Sequence, residues 1–596
     1  SDFSKFMSSG VSDKLRNMAL QKMFQTAEFN IRDGLDEYDE DYTSFEKLGD
    51  IVTCDMKHRI EMQESKQMQQ TNINARDTAL SIADSYKPAP TGLISYQSAG
   101  RVIAFGDNNA LAASMQGVSI AELTLVCTGE KLPGSIANFH CGQRKIRIQG
   151  FLGAFEVELP DANQALHADI VLDFCEEAIN QHEILPPGYL HLDTTEHDPQ
   201  VIEARVAELV GEFQKPKYFN YDPSICAHSV NGVTVCSFCI DSCPAAAIQS
   251  GGDQIEVTPF LCQGGGTCAS VCPSGAIRYA YPGLADSGNR LRLMLQAYHQ
   301  QQGKQAIVLF HSQAFAPQDI MELHSNLLPM RVEELASVGM ELCLAAFAYG
   351  AAQVILLADE TVPALSLKHI SRQLEWLQVL LPPLGVKAQQ LSLQTGRKGL
   401  AIVDDAISVE ASEQGMPEQK RKAIYQAIDH MVAKLNPGQV TVELPAGAPF
   451  GAVLIDENKC TLCLSCVSSC PGRALQDGSN REVPELFFIE SHCIQCGACS
   501  QTCPELAITL IPQLVLNRED RNRARVLYRD EAFACITCGK PFASSSVIDK
   551  IQGQLKDHPM FNSPRALDRL KMCQDCRVVD IVQDPEALKG DFDPLT

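Results

Sequence analysis

Positive charge is scarce in this sequence: 49 Lys and Arg stand against 73 Asp and Glu, a formal net charge of −24 over 596 residues. That is the wrong sign for a chain whose main task is to neutralise nucleic-acid phosphates, so no nucleic acid is expected and proteins are the expected partners. Long hydrophobic runs are also missing. The one extended apolar stretch, residues 342–358, is preceded by Glu341, carries Tyr349 and Gly350 and is interrupted by Gln353. It reads as a buried helix followed by a buried strand, and no membrane span is predicted. The opening Ser1-Asp2-Phe3-Ser4 has neither a basic region nor an apolar one, so no secretory signal is visible and a cytoplasmic location is expected. A G-x-G-x-x-G fingerprint, a P-loop and an obvious nucleophile and base pair are all absent, which argues for a carrier or accessory protein over an enzyme.

What is abundant is cysteine, yet the 24 cysteines make up only about 4% of the chain, well under the roughly 8–10% of a disulfide scaffold. They are clustered, and clustering points to metal. Only Cys54, Cys127, Cys141, Cys175 and Cys343 stand alone, and these read as ordinary thiols. The clearest pattern is Cys460-x-x-Cys463-x-x-Cys466-x-x-x-Cys470-Pro471 followed by Cys493-x-x-Cys496-x-x-Cys499-x-x-x-Cys503-Pro504. This is the two-cluster bacterial ferredoxin run, in which three thiolates wrap one cubane and the fourth, followed by proline, ligates the other. One cluster is expected on Cys460, Cys463, Cys466 and Cys503, the other on Cys493, Cys496, Cys499 and Cys470.

A degenerate copy lies upstream, Cys236-x-x-Cys239-x-x-x-Cys243-Pro244 and then Cys262-x5-Cys268-x-x-x-Cys272-Pro273. Its first half has Val233 at the leading ligand position, with Cys226 as the replacement, and its second half has Gly265 where the second cysteine belongs. Four copies of Cys-Pro-x-x-Ala followed by Ile or Leu, starting at Cys243, Cys272, Cys470 and Cys503, support the alignment. The complete set is expected to be Cys226, Cys236, Cys239 and Cys272. The incomplete one keeps Cys262, Cys268 and Cys243, which can hold a [4Fe-4S] cube with an open corner or a [3Fe-4S] cluster. Finally, Cys535-x-x-Cys538 and Cys573-x-x-Cys576 are two knuckles offering four thiolates. Zinc is the expected ion, with a rubredoxin-like single iron as the alternative, and the metal would supply folding energy to a short domain.

At roughly 150 residues per domain the length implies about four modules. The expected class is multidomain α/β. Residues 1–67 read as an acidic helical segment, with a helix ending near Phe24 and capped by Ser12 or Asp13. Residues 33–42 are an acidic run interleaved with Leu35, Tyr38 and Tyr42, either a solvated tail or a docking strip on the body or a partner. Residues 68–92 read as a linker and 93–215 as a small N-terminal α/β domain. The degenerate two-cluster ferredoxin module spans 216–285. Residues 286–436 alternate strand and helix (306–310, 339–349, 354–357, 365–381, 400–403), which argues a parallel-sheet α/β scaffold. The intact two-cluster module spans 450–515, and a small zinc-ribbon-like domain with four cysteine ligands spans 516–596.

From Met68 to the C-terminus, the domain order together with Cys226-Ala227-His228, Leu261-Cys262-Gln263-Gly264 and the Cys460 module resembles the cytoplasmic polyferredoxin-like proteins encoded beside bacterial molybdenum or tungsten formate dehydrogenases. Members of that family more often carry a cysteine where Gly265 stands. Arg331-Val332, Leu344 to Ala351 and Val354-Ile355-Leu356-Leu357 resemble the delta subunit of methyl-viologen-reducing hydrogenases. That family's cluster cysteines are missing here, so a scaffold role is expected. Phe29 to Leu35 and Tyr42 to Phe45 resemble the tail of a small protein of unknown function from the same gene neighbourhoods. Met68 would then be the start of the ferredoxin-like protein and the chain a fusion, natural or engineered. The resemblance implies four Fe-S clusters and an electron-transfer protein serving formate dehydrogenase or its maturation factors. An assembly factor with mainly structural clusters is the competing reading.

Overall fold

The computed structural model describes residues 5, 10–29, 54–115, 117–128, 136–141, 146–160, 164–192, 198–230, 232–312, 324–396, 400–438, 440–478, 483–561 and 563–585. The chain divides into two compact units, Ser1–Gln67 and Met68–Thr596. The division falls at the methionine singled out as an internal start. In the first unit a helix runs Asp13–Phe24 behind Ser12, whose side chain makes no capping bond. The acidic run 33–42 and the motif residues Asn30–Leu35 and Tyr42–Phe45 lie outside the described residues.

Residues 68–85, expected to be linker, belong to the helix Cys54–Ser85. Ala75, Ala79 and Ala83 form a stripe at four-residue spacing that is buried in the core of the parallel-sheet domain. Alanine is too small to register as a hydrophobic face among Gln, Asn and Asp, so the sequence hides this helix. Only residues 86–92 are extended without regular structure. There Tyr86 Oη donates to Asp286 Oδ1 at 2.8 Å.

The small α/β domain is a five-stranded parallel sheet in the spatial order Phe139–His140, Glu122–Cys127, Arg101–Gly106, Ile170–Asp173, Tyr189–His191. Leu93–Ser98 pairs antiparallel with Gly211–Pro216, closing the domain where its two ends meet. The larger domain holds a four-stranded parallel sheet in the order Leu327–Arg331, Ile307–His311, Gln353–Ala358, Leu391–Thr395. The apolar stretch divides as its pattern implies: the helix Met340–Ala348 is buried on every side, Gly350 turns the chain with φ 95°, and the strand Gln353–Ala358 is buried throughout. Residues 400–403, read as a strand, are not one. The fourth strand is Leu391–Thr395, and 400–403 runs beside the sheet on glutamine side chains instead. Gln353 Oε1 accepts from Val403 N at 3.0 Å, Gln353 Nε2 donates to Ala401 O at 2.8 Å, and Gln394 Oε1 accepts from Ala401 N at 3.1 Å.

The two cysteine-rich regions share a strand plan. In residues 216–285, Phe219–Tyr221 pairs antiparallel with Ile277–Tyr279, and Ile248–Ser250 with Ile255–Val257. In residues 450–515, Gly451–Ile455 pairs with Ile508–Val515, and Leu475–Asp477 with Glu485–Phe488. The apolar pairs that follow the Cys-Pro turns, Ala247-Ile248, Ala276-Ile277, Ala474-Leu475 and Ala507-Ile508, are all buried and supply the cores of these regions. C-terminal to them, the hairpin Ala532–Ala534 with Pro541–Ser544 carries the helices Ser545–Leu555, Pro564–Arg569 and Gln574–Gln583. Among the described residues no helix is long and apolar enough to cross a membrane.

Candidate metal centres

Each half of the two cysteine-rich regions repeats one piece of backbone. The third cysteine of every motif is the second residue of a short helix: Cys239 in Phe238–Asp241, Cys268 in Thr267–Val271, Cys466 in Ser465–Ser468 and Cys499 in Ala498–Gln501. Three residues after each Cys-Pro cysteine the chain turns left-handed, at Ala246 (φ 46°), Gly275 (75°), Arg473 (52°) and Leu506 (50°). That turn aims a backbone N–H back at the sulfur. Ala247 N donates to Cys243 Sγ at 3.3 Å, Ala474 N to Cys470 Sγ at 3.2 Å and Ala507 N to Cys503 Sγ at 3.4 Å. Such bonds favour the thiolate and, on a cluster ligand, help set the potential.

The second-cysteine position has its own signature. Leu462 (56°) and Leu464 (62°) flank Cys463, and Gln495 (54°) and Gly497 (83°) flank Cys496, all left-handed. Gly264 (83°) and Gly266 (78°) flank Gly265 in the same way. Gly265 itself is not left-handed, and a Cβ built there would meet only Pro244 Cγ, at 4.0 Å. Its neighbours have no such freedom, since a Cβ on Gly264 would fall 2.7 Å from Tyr218 and one on Gly266 2.7 Å from Ser337. Gly265 therefore stands in the backbone setting of Cys463 and Cys496 without a thiol, and nothing in the backbone requires glycine there.

The first half of the upstream copy departs from this plan. Val233 is exposed on a two-residue strand, and neither Val235 nor Ser237 is left-handed. The chain detours through Cys226 instead, held by the buried His228: Nδ1 lies 2.8 Å from Cys236 O and Nε2 2.8 Å from Ser250 Oγ. Sequence reasoning gave His228 no role. Its buried position beside Cys226 makes it the strut of the replacement loop.

Three cavities are ringed by these thiols. One is lined by Cys226, Cys236, Cys239 and Cys272 (set I). Another is lined by Cys243, Cys262 and Cys268 with Gly264, Gly265 and Gly266 (set II). A third is lined by Cys470, Cys493, Cys496 and Cys499 (set IV). Cys460, Cys463, Cys466 and Cys503 (set III) also lie together, since the charges of Cys460, Cys463 and Cys503 all reach the Cys466 thiol. None of these cysteines is in a disulfide.

Burial raises the thiols of Cys236 and Cys466 to about 12 and that of Cys496 to about 11, with neighbouring thiolates adding to it. Cys268 is pushed well above its ordinary value, by burial first and then by Cys262 and Cys243. Buried thiols that repel one another's charge become thiolates only beside a cation, as the irons of a cluster provide. The donor set and its surroundings therefore fit iron–sulfur clusters. Lys215 lies at the edge of set II and donates to Phe260 O at 2.8 Å and Cys262 O at 2.7 Å.

Cys535, Cys538, Cys573 and Cys576 form a different kind of site. Their sulfurs all lie within 4.8 Å of one another, and Cys538 and Cys573 are 3.7 Å apart. That is the compass of a single tetrahedral ion. Among the described residues no other group of Cys, His, Asp and Glu ligand atoms is drawn so tight, as expected if sets I to IV surround something larger. Burial alone would raise Cys535, but N–H groups of Cys573, Cys538 and Thr537 outweigh it and bring this thiol down to about 6. These N–H groups favour the thiolate form that a metal ion needs. Cys127, Cys141, Cys175 and Cys343 are buried and lie outside all five groups.

Residues 452–504 match the family described as 4Fe-4S dicluster domain, which takes in sets III and IV entire. The chain thus carries an iron–sulfur dicluster domain. Residues 1–48 match a family described as protein of unknown function (DUF3306), in line with the separate resemblance read at the N-terminus. No curated protein matches the chain.

Proposed function

We propose that the chain is an iron–sulfur electron-transfer protein carrying two two-cluster modules, and that it passes electrons to or from a molybdenum or tungsten formate dehydrogenase or its maturation apparatus. The observation that carries the reading is the fourfold repeat of helix, Cys-Pro turn and left-handed residue around sets I to IV. The dicluster match covers one module, and the backbone that residues 216–285 share with it supports the same reading there. When bound, clusters on these thiolates supply reversible one-electron chemistry.

The chain's own residues hold the ligands and set their surroundings. Set I uses Cys226, Cys236, Cys239 and Cys272; set II uses Cys243, Cys262 and Cys268; set III uses Cys460, Cys463, Cys466 and Cys503; set IV uses Cys470, Cys493, Cys496 and Cys499. The N–H groups of Ala247, Ala474 and Ala507 stabilise negative charge on sulfur, and the apolar residues after each turn keep water out. Cys535, Cys538, Cys573 and Cys576 hold one zinc as a structural site. Ser544 Oγ donates to Thr461 O at 2.8 Å, so that domain braces the loop of set III.

The resemblance of residues 68–596 supplies the partner. The test is anaerobic mixing of the oxidised full chain with catalytic amounts of formate dehydrogenase and formate. Bleaching of the visible iron–sulfur absorption, reversed on reoxidation, is the expected result. Failure of formate to bleach it, together with binding only to cofactor-free dehydrogenase, would replace this reading with that of an assembly factor.

A further inference from the structure

The helix Lys420–Leu435 begins between the two cysteine-rich regions, and its first two residues grip one each. Lys420 Nζ donates to Ala269 O at 2.9 Å and to Ser270 O, on the short helix that carries Cys268, with Glu341 Oε2 3.7 Å away. Gly275, in the turn after Cys272, is packed so tightly on Lys420 that a Cβ there would lie 3.1 Å from Lys420 Cβ. Arg421 faces the other region. Its Nη2 donates to Cys493 O at 2.9 Å, Ser491 O at 3.0 Å and Tyr425 Oη at 2.7 Å, while Nη1 donates to Pro449 O at 2.9 Å and reaches back to Pro273 O at 3.5 Å. The guanidinium also stacks over Tyr425 and Phe450, 5.3 and 5.0 Å from their ring centres. One planar cation thus bonds the carbonyl beside Cys272 of set I and the carbonyl of Cys493 of set IV, a use to which the rigid five-donor fork suits arginine and not lysine.

On either side of this clamp the two sites of each region share their turns. Within the first region Cys272, from the second Cys-Pro turn, lines the cavity of set I beside Cys236 and Cys239, while Cys243, from the first turn, lines that of set II. Within the second, Cys470 likewise lines the cavity of set IV, and Ser469 and Thr502, at the ends of the short helices that carry Cys466 and Cys499, share a hydrogen bond of 2.8 Å.

We propose that Arg421 is the positioning residue of a junction between the modules, holding sets I and IV side by side so that the four cysteine sites form one continuous row in the order II, I, IV, III. This deepens the electron-transfer reading, on which it rests. Two separate pairs would each need their own way in and out, whereas one row has two ends, the three-thiol set II and set III with its exposed Cys463.

The test uses the reconstituted full chain, its Arg421→Gln and Arg421→Lys variants, and Cys226→Ser, which removes a ligand of set I. In the reduced wild type, the paramagnetic resonance signal of set IV should be broadened by spin coupling to set I. Cys226→Ser should lose that component. Arg421→Gln should keep the iron content, weaken the coupling and lower the potentials of sites I and IV while leaving site III unmoved, because a cation near both is gone. Arg421→Lys should recover the potentials more fully than the coupling. Hydrogen exchange on the same samples should show segments 272–275 and 491–494 loosening together in Arg421→Gln. A set IV signal indifferent to Cys226→Ser, or an Arg421→Gln variant with unchanged potentials and loosening on one side only, would overturn the junction. Iron confined to sets III and IV would instead defeat the two-module reading, and hydrogen exchange would still decide the clamp.

Discussion

Gly265 shows what one residue can decide. Its flanking left-handed glycines reproduce the loops around Cys463 and Cys496, and its own backbone accepts a side chain. Gly265→Cys should therefore fold, complete set II and suppress the interconversion of three-iron and four-iron forms on controlled oxidation, read as loss of the three-iron resonance. An equal three-iron signal in the variant, with the new thiol open to labelling, would contradict this. Gly264→Ala and Gly266→Ala should each destabilise the loop by about 1–2 kcal/mol from left-handed strain, more from the close contacts. A second residue-scale prediction concerns Glu334, whose carboxyl is raised to about 7, first by burial and then by the charges of Asp359 and Glu333. A folded-state value above the unfolded one means that the stability it allows is full below about pH 4.5 and lost as pH rises through 7. The unfolding midpoint should fall between pH 5 and pH 8 by the equivalent of roughly 1–3 kcal/mol, and Glu334→Gln should flatten that slope. At this scale the cysteine groups that the structure draws together were legible, because cluster coordination would fix their spacing. Arg421 and Lys420 were not, because the partners that tie them to the cysteine-rich regions lie mostly on short helices and turns roughly 70 to 150 residues away and nothing local marks a cation that binds carbonyls.

At the scale of elements, apolar runs and turn chemistry read well and side-chain substitutes for backbone bonds did not. The stretch 342–358 separated correctly into helix and strand because Gly350 sits where the helix must end. The stretch 400–403 looked like a strand because it is apolar, yet its hydrogen bonds go to Gln353 and Gln394, which no pattern announces. The helix through Ala75, Ala79 and Ala83 was missed because its buried face is made of the smallest side chain. The C-terminal hairpin and helices surround the four-cysteine site with few buried apolar residues, Cys535, Ile548 and Cys573 among them, so a metal bound there would carry much of their stability. Cys573→Ser should release about one zinc per chain by metal analysis and speed proteolysis beyond residue 530. Because Ser544 braces Thr461, it should also make site III the first of the four to lose iron in air. Retained zinc and unchanged proteolysis would show that the knuckles are not a metal site.

At the scale of the whole molecule, the acidic charge and the clustered cysteine sets are what the proposed carrier needs, and one half-module repeated four times would give it a row of sites. The intact half-modules were evident from spacing alone. For the degenerate pair the sequence already pointed to Cys226 and Gly265, and the backbone adds that His228 holds the loop between Cys226 and Cys236 and that Gly265 stands between two left-handed glycines with room for a side chain. The central claim is that all four sets bind clusters, and iron and acid-labile sulfide analysis of the anaerobically reconstituted full chain, read beside its paramagnetic resonance spectrum, tests it most directly. The expected result is about 15–16 irons per chain, from three four-iron clusters and one of three or four irons, and signals from all four sites. About eight irons per chain, with signals from sets III and IV only, would contradict it.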